Sequence, residues 1–295
     1  MNIRFYEWAE LTERERAEIL ARSEQNIESV RESVREITDG VRDGGDAALR
    51  EYTARFDGVE LGDRPIAVSP EELDAAAGLI SDEVRAAIEF AVDNVFRVHE
   101  AQLDRSLHTT EVRPGVYAGE RATPIPSAGL YVPHGRGSFP SMLYMLAVPA
   151  RVAGVEHVAV VTPPSRDGSV DPACLYAARY VGVDTVYRVG GAQAIAALAY
   201  GTESVAAVSK LVGPGSMYVA AAKREVAGVV DTGLPAGPTE SIVLADGHAD
   251  PWKVSLDLMV EAEHGSDSQA ILVTPSLPLA EAVREVLPEL VAEAP

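Results

Sequence analysis

Apolar positions along the first hundred residues recur with the period of a helix. Ile27, Val30, Val34, Ile37 and Val41 fall at alternating steps of three and four, which puts them on one helical face. Gly44-Gly45 breaks that run, and Asp46 opens a second helix carrying Leu49, Tyr52 and Phe56. Upstream, Thr12-Glu13-Arg14-Glu15 has the form of a capping box. Residues 65–68 read as a short strand. Ser69-Pro70-Glu71-Glu72 then sets a capping Ser, a first-turn Pro and an acid where a helix begins. A further helix starts at Ser81, with Val84, Ile88, Ala91, Val95 and Val98 as its expected buried stripe. Residues 109–123 predict a small β segment turning at Pro114-Gly115. Nothing in this region suggests chemistry by itself.

Beyond residue 125 the pattern changes. Strand-length apolar runs at 128–132, 157–162, 185–189, 210–212, 241–245 and 270–274 alternate with helical stretches. The helices fall at 142–153, 172–181, 192–200, 217–227, 251–264 and 279–292. Such alternation predicts an α/β fold in which a parallel sheet carries helices on both faces. Ligands of these folds bind beyond the carboxyl ends of the strands, so the loops after each strand are where chemistry is expected.

Composition narrows the function classes. The 295 residues suggest about two domains. With 25 Lys and Arg against 45 Asp and Glu the net charge is −20, and Lys210, Lys223 and Lys253 are the only lysines. That surface repels nucleic acid and anionic membranes. It fits either an ordinary solvated acidic surface or a protein of a salt-rich cytoplasm, where ions screen the repulsion. No apolar run is long enough to span a membrane, and residues 1–20 lack the apolar core of a signal peptide. The single Cys174 excludes an internal disulfide and a cysteine metal cluster. A cytoplasmic location is expected.

Four loops draw attention. Pro133-His134-Gly135-Arg136-Gly137-Ser138 is either a plain turn or a phosphate cradle, and it matches no complete dinucleotide or P-loop fingerprint. Gly190-Gly191-Ala192-Gln193, Gly213-Pro214-Gly215-Ser216 and Pro235-Ala236-Gly237-Pro238-Thr239-Glu240 each set small residues and a hydrogen-bonding side chain beside a strand end or helix start. Together they point to a nucleotide crevice. Near the end of the chain, Glu261 and His264 stand three apart on one helical face. They read either as half a metal site or as a solvated helix end whose His complements the dipole. Two ligands are too few for zinc.

These motifs resemble the histidinol dehydrogenase family. The resemblance runs from about residue 20 to the end of the chain. It rests on Leu130-Tyr131-Val132-Pro133, on the run from Val189 to Ala199, on Gly213-Pro214-Gly215, on Leu234 to Pro238 and on Ala262 to Gln269. It implies two incomplete Rossmann-like parallel-sheet domains, one inserted in the other, with a helical N-terminal segment. The boundaries expected are an arm at 1–25, a first domain of 26–130 plus 241–295, and an inserted NAD-binding domain at 131–240. It also implies a homodimeric enzyme using zinc and NAD to oxidise L-histidinol through its aldehyde to L-histidine. By motif position, Tyr131, Gln193 and Ser216 fall at the NAD contacts and Thr239 at the substrate. Glu261 and His264 fall at both substrate and zinc.

The chain departs from the family pattern at four positions. The family has Gly at His134, Asn at Ser216, Ser at Thr239 and Gln at Glu261. These changes open the alternative of a relative that oxidises another small amino alcohol or a polyol. The family's catalytic Glu-His pair and its remaining zinc ligands would lie beyond Pro295. No catalytic residue is therefore expected within the chain, and the chain alone is expected to be inactive. A third alternative is a non-catalytic module that keeps only nucleotide or metal binding.

Overall fold

The computed structural model describes residues 3–20, 27–104, 106–134, 137–233, 240–262 and 268–293. The chain divides into two compact units, Asn26–Ala236 and Met1–Gln25 with Gly237–Pro295. The fold is α/β. No described helix is long and apolar enough to cross a membrane.

Helix α1 (Glu13–Leu20) belongs to the smaller unit and opens with the expected capping box. Thr12 Oγ1 accepts from Glu15 N, and Glu15 Oε2 accepts from Thr12 N at 2.8 Å. In the larger unit, α2 (Arg31–Tyr52) passes through the glycine pair with a kink in place of a break. Gly45 takes φ 57° and ψ −138° there. Asp46 then caps outward: its carboxylate accepts from Thr202 Oγ1 at 2.6 Å and from Ser204 N at 3.1 Å, and Glu203 accepts from Asp46 N. The kink is thereby tied to a loop more than 150 residues away.

Two further helices follow, α3 (Pro70–Ala75) and α4 (Asp82–Gln102), with Ser69 and Ser81 as their caps. The α4 stripe is turned from its expected position. Ile88 and Val92 are buried, whereas Val84 and Val98 are exposed. Val95 and Phe96 complete the packed face, because the helix meets its neighbours along the 88–92–96 row. Strands β1 (His108–Arg113) and β2 (Val116–Glu120) form the expected hairpin, antiparallel and exposed.

The core of the larger unit is a parallel sheet. Strands β3 (Ser127–Tyr131), β4 (His157–Thr162), β5 (Thr185–Arg188) and β6 (Lys210–Val212) lie in the order β5-β4-β3-β6. Helices α5 (Pro140–Val152) and α6 (Pro172–Val181) share one core with α3 and α4, built on Leu130, Val158, Val160 and Val186. Helices α7 (Gly191–Tyr200) and α8 (Met217–Val226) share the other with α2, built on Tyr131, Val161, Tyr187 and Leu211. Alternate residues of each strand therefore serve opposite faces. Helix α7 is buried from Ala192 to Ala199 because it lies between the sheet and α2.

The expected strand at 65–68 is reduced to a single bridge, Ala67 to Tyr187, flanked by Val68 N to Val186 O and Arg188 N to Ile66 O. Pro65 has no N–H to donate, and Ser69 turns the chain at once into α3. Arg188, fully buried, secures this edge by donating to Glu72 Oε2 at 2.5 Å, Glu72 Oε1 at 3.1 Å and Gly168 O at 3.1 Å.

In the smaller unit β7 (Glu240–Leu244) pairs in parallel with β8 (Gln269–Val273). Helices α9 (Pro251–Ala262) and α10 (Leu277–Glu293) pack together through Val254, Leu258, Leu279, Val283 and Leu287.

Candidate functional site at the strand ends

The strand order creates a crevice. From β3 the chain builds outward through β4 to β5, then returns past β3 to β6, and the helices change face at that return. In an open parallel sheet this switch point lies beyond the carboxyl ends of the two strands that part there, and it is where ligands bind. Here those strands are β3 and β6.

Tyr131 is the last residue of β3 and is buried. Its hydroxyl accepts from Gly191 N, at the start of α7, at 3.1 Å. Burial pushes the phenol up to about 12, so it stays a neutral hydroxyl with its own proton still to donate. Gln193, one turn into α7, is also buried. A Cβ added to Gly191, which takes φ +63°, would sit 2.5 Å from Gln193 Oε1, so the amide is folded over the glycine backbone. Its Nε2 donates to Asp57 Oδ2 at 3.4 Å.

On the β6 side, Gly213 takes φ +113°, and a Cβ there would lie 2.2 Å from Tyr131 O. Only glycine allows the Gly-Pro-Gly loop to lie against the end of β3. Lys223, buried in α8, reaches back to donate to Gly213 O, and its burial lowers the ammonium pKa. A cavity of about 110 Å³ adjoins this loop, lined by Gly213, Gly215, Val219, Lys223, Arg224 and Thr232 among others. Ser216 is the exposed N-cap of α8, and its side chain makes no capping hydrogen bond. The first N–H groups of that helix lack a side-chain cap from Ser216.

His134 is half-buried after β3, with its Nε2 3.5 Å from Ser165 Oγ. Thr239 and His264 lie outside the described residues. Glu261 is buried at the last turn of α9, in the smaller unit. Glu156 and His157 stand 3.9 Å apart at the start of β4 and are exposed, at the opposite end of the sheet from the crevice.

Two participants were not foreseen from the sequence. Asp57 ends the helical turn Thr53–Asp57 that follows α2, in a region to which no chemistry had been assigned, and Gly58 at φ 68° closes the turn. Burial pushes its carboxyl up to about 6. Lys223 reads in sequence as an ordinary residue of an amphipathic helix. No local pattern marks Asp57 as half-buried beside Gln193, or Lys223 as buried beside Gly213.

The residues present suit a dinucleotide. Glycines bring two loops within van der Waals distance of strand ends, and Tyr131, Gln193 and Asp57 converge there with hydrogen-bonding capacity to spare. They do not complete a zinc site. Among the described residues no three His, Cys, Asp or Glu side chains converge.

The family pattern described as Histidinol dehydrogenase matches residues 20–295. The chain belongs to the histidinol dehydrogenase family. It is 49% identical over 292 residues to a histidinol dehydrogenase of Synechocystis, covering 99% of this chain and 67% of that protein. It is 49% identical over 288 residues to a histidinol dehydrogenase homolog of Rhizobium meliloti, covering 98% and 63%. The crystal structure of histidinol dehydrogenase from Elizabethkingia anophelis superposes with a TM-score of 0.85 at 36% identity, over 90% of this chain and 61% of that one. The chain thus spans about two thirds of the length of the relatives it matches.

Proposed function

We propose that this chain carries the NAD-binding part of an enzyme oxidising L-histidinol to L-histidine, the activity named for its relatives. The observation that carries this reading is the meeting of Tyr131 with the Gly191 N–H at the switch point of the sheet, in a chain of this family. Bound NAD would accept one hydride as the alcohol becomes the aldehyde, and a second NAD would accept another as the hydrated aldehyde becomes the carboxylate. Tyr131 offers a neutral donor, Gln193 an amide, and Ser216 a hydroxyl beside the N-terminus of α8. Zinc belongs to the proposal through Glu261 and His264. Among the described residues no complete set of zinc ligands stands together.

Calorimetric titration of the folded chain with NAD tests the reading. Binding that Gln193→Ala weakens tenfold or more supports it, and absence of binding at millimolar NAD overturns it. The chain by itself should produce no NADH from histidinol, since its described Glu-His pair at 156–157 lies away from the crevice. Reproducible NADH formation would show that the chain holds a competent base after all.

A second reading, oxidation of another small amino alcohol or a polyol, is favoured by Glu261. A carboxylate at the metal lowers its effective charge and with it the polarisation of a bound hydroxyl. The Rhizobium meliloti relative is itself named only a homolog. A substrate panel on the complete enzyme, native and Glu261→Gln, separates the two readings. Histidinol leads under the first; under the second a polyol leads and Glu261→Gln shifts preference toward histidinol.

A further inference from the structure

We propose that Asp57 accepts the vicinal hydroxyls of the adenosine ribose in this crevice and thereby selects NAD over NADP. The inference rests on the nucleotide reading above and adds to it a residue and a specificity. An ionised carboxylate has about four acceptor positions. Among the described residues Asp57 uses one of them, in a 3.4 Å contact with the neutral Gln193 amide. No Lys or Arg among the described residues forms an ion pair with it, although Arg50 and Arg55 are close in sequence.

Its place in the fold sets that spare capacity beside the groups proposed to contact NAD. Gln193, which it holds, lies in the first turn of the helix whose Gly191 N–H meets Tyr131. Asp57 thus stands at the same strand ends as the groups proposed to contact NAD. A lone carboxylate there does not make a metal site. A ribose diol presents two adjacent O–H donors, which match the two oxygens of one carboxylate, and acidic residues serve this purpose in other dinucleotide folds. A ribose 2′-phosphate would bring a second anion against a partly desolvated first one, where water screens the repulsion poorly. The same burial that leaves Asp57 without a counter-charge also raises its pKa, in keeping with a group whose partner arrives from outside.

The test is calorimetric titration of the folded chain with NAD and with NADP, for the wild type, Asp57→Asn and Asp57→Glu, each checked by circular dichroism. The wild type should bind NAD at least fiftyfold more tightly than NADP. Asp57→Asn should weaken NAD at least tenfold and reduce the discrimination at least tenfold, whereas Asp57→Glu, which keeps the charge, should still reject NADP. Equal loss of both nucleotides in Asp57→Asn would mean that the residue only positions Gln193, and would overturn the inference. Unchanged discrimination would overturn it as well. A folded wild type that binds neither nucleotide would remove the nucleotide reading itself, and the inference with it.

Discussion

Replacing Asp57 by Asn should stabilise the protein at neutral pH and do almost nothing in acid. The carboxyl is pushed from 3.8 up to about 6 by burial alone, a rise of about two units. Each unit is worth about 1.4 kcal/mol, so ionising Asp57 in the folded state costs on the order of 2–3 kcal/mol after allowance for its partial exposure. The folded pKa lies above the unfolded one. Between roughly pH 3.8 and 6 the folded protein therefore retains a proton that the unfolded chain has released. The stability contributed by this group is complete below that window, is lost as pH rises through it, and stays lost above it.

Asparagine removes the charge and keeps an oxygen to accept from Gln193 Nε2. Urea unfolding of wild type and Asp57→Asn, followed by far-ultraviolet circular dichroism at pH 4.0 and 7.5, isolates the effect, because every other carboxylate titrates alike in both proteins. Asp57→Asn should gain about 2–3 kcal/mol at pH 7.5, or roughly 4–12 °C in Tm for a unit of about 200 residues. The gain should shrink below about 0.5 kcal/mol at pH 4.0. A variant that is no more stable at pH 7.5, or whose gain persists undiminished at pH 4.0, would show that the carboxylate is well solvated or paired, and the reasoning would fail. A gain would mean that the fold keeps a destabilising charge at the strand ends, as binding sites commonly do.

Three other outcomes follow from the same geometry. Gly213→Ala places a Cβ 2.2 Å from Tyr131 O at φ +113°, where real Cβ atoms stay beyond 3.0 Å, so the loop must retreat from β3; we expect a loss of about 2–4 kcal/mol in urea unfolding and weaker NAD binding. Glu72→Gln leaves the buried Arg188 guanidinium without its anion and should cost about 2–4 kcal/mol. Adding Arg188→Met should recover part of that loss, and a Glu72→Gln penalty below about 1 kcal/mol would show that the pair is not needed. The net charge of −20 should make the thermal midpoint rise from low salt to molar KCl, whereas a flat or falling midpoint would exclude self-repulsion as a limit on stability.

Local features were legible in the sequence because they are set by local physics. Strand-length apolar runs at β3, β4 and β5 marked the parallel sheet, since alternate residues serve two cores and both faces are covered. The caps at Thr12, Ser69 and Ser81 and the turn at Pro114-Gly115 are satisfied by neighbours within four residues, and they appear where expected. The loops after β3, β5 and β6 drew attention through their glycines, and the structure brings those after β5 and β6 against Tyr131, at the end of β3.

Tertiary packing decided the rest. The stripe of α4 was misjudged by one position because periodicity identifies an apolar face, while the neighbouring helices determine how far it turns inward. Residues 65–68 shrank to a bridge because the start of α3 leaves room for only two backbone bonds to β5. The charged groups whose partners lie far along the chain were the least legible. Asp57 meets Gln193 across 136 positions, and Arg188 meets Glu72 across 116. Acids are common in this chain and most are solvated, so nothing local distinguishes Asp57 from the others. Its chemistry comes from the water it loses and the partners it lacks, and both are set only when the sheet closes against the end of α2.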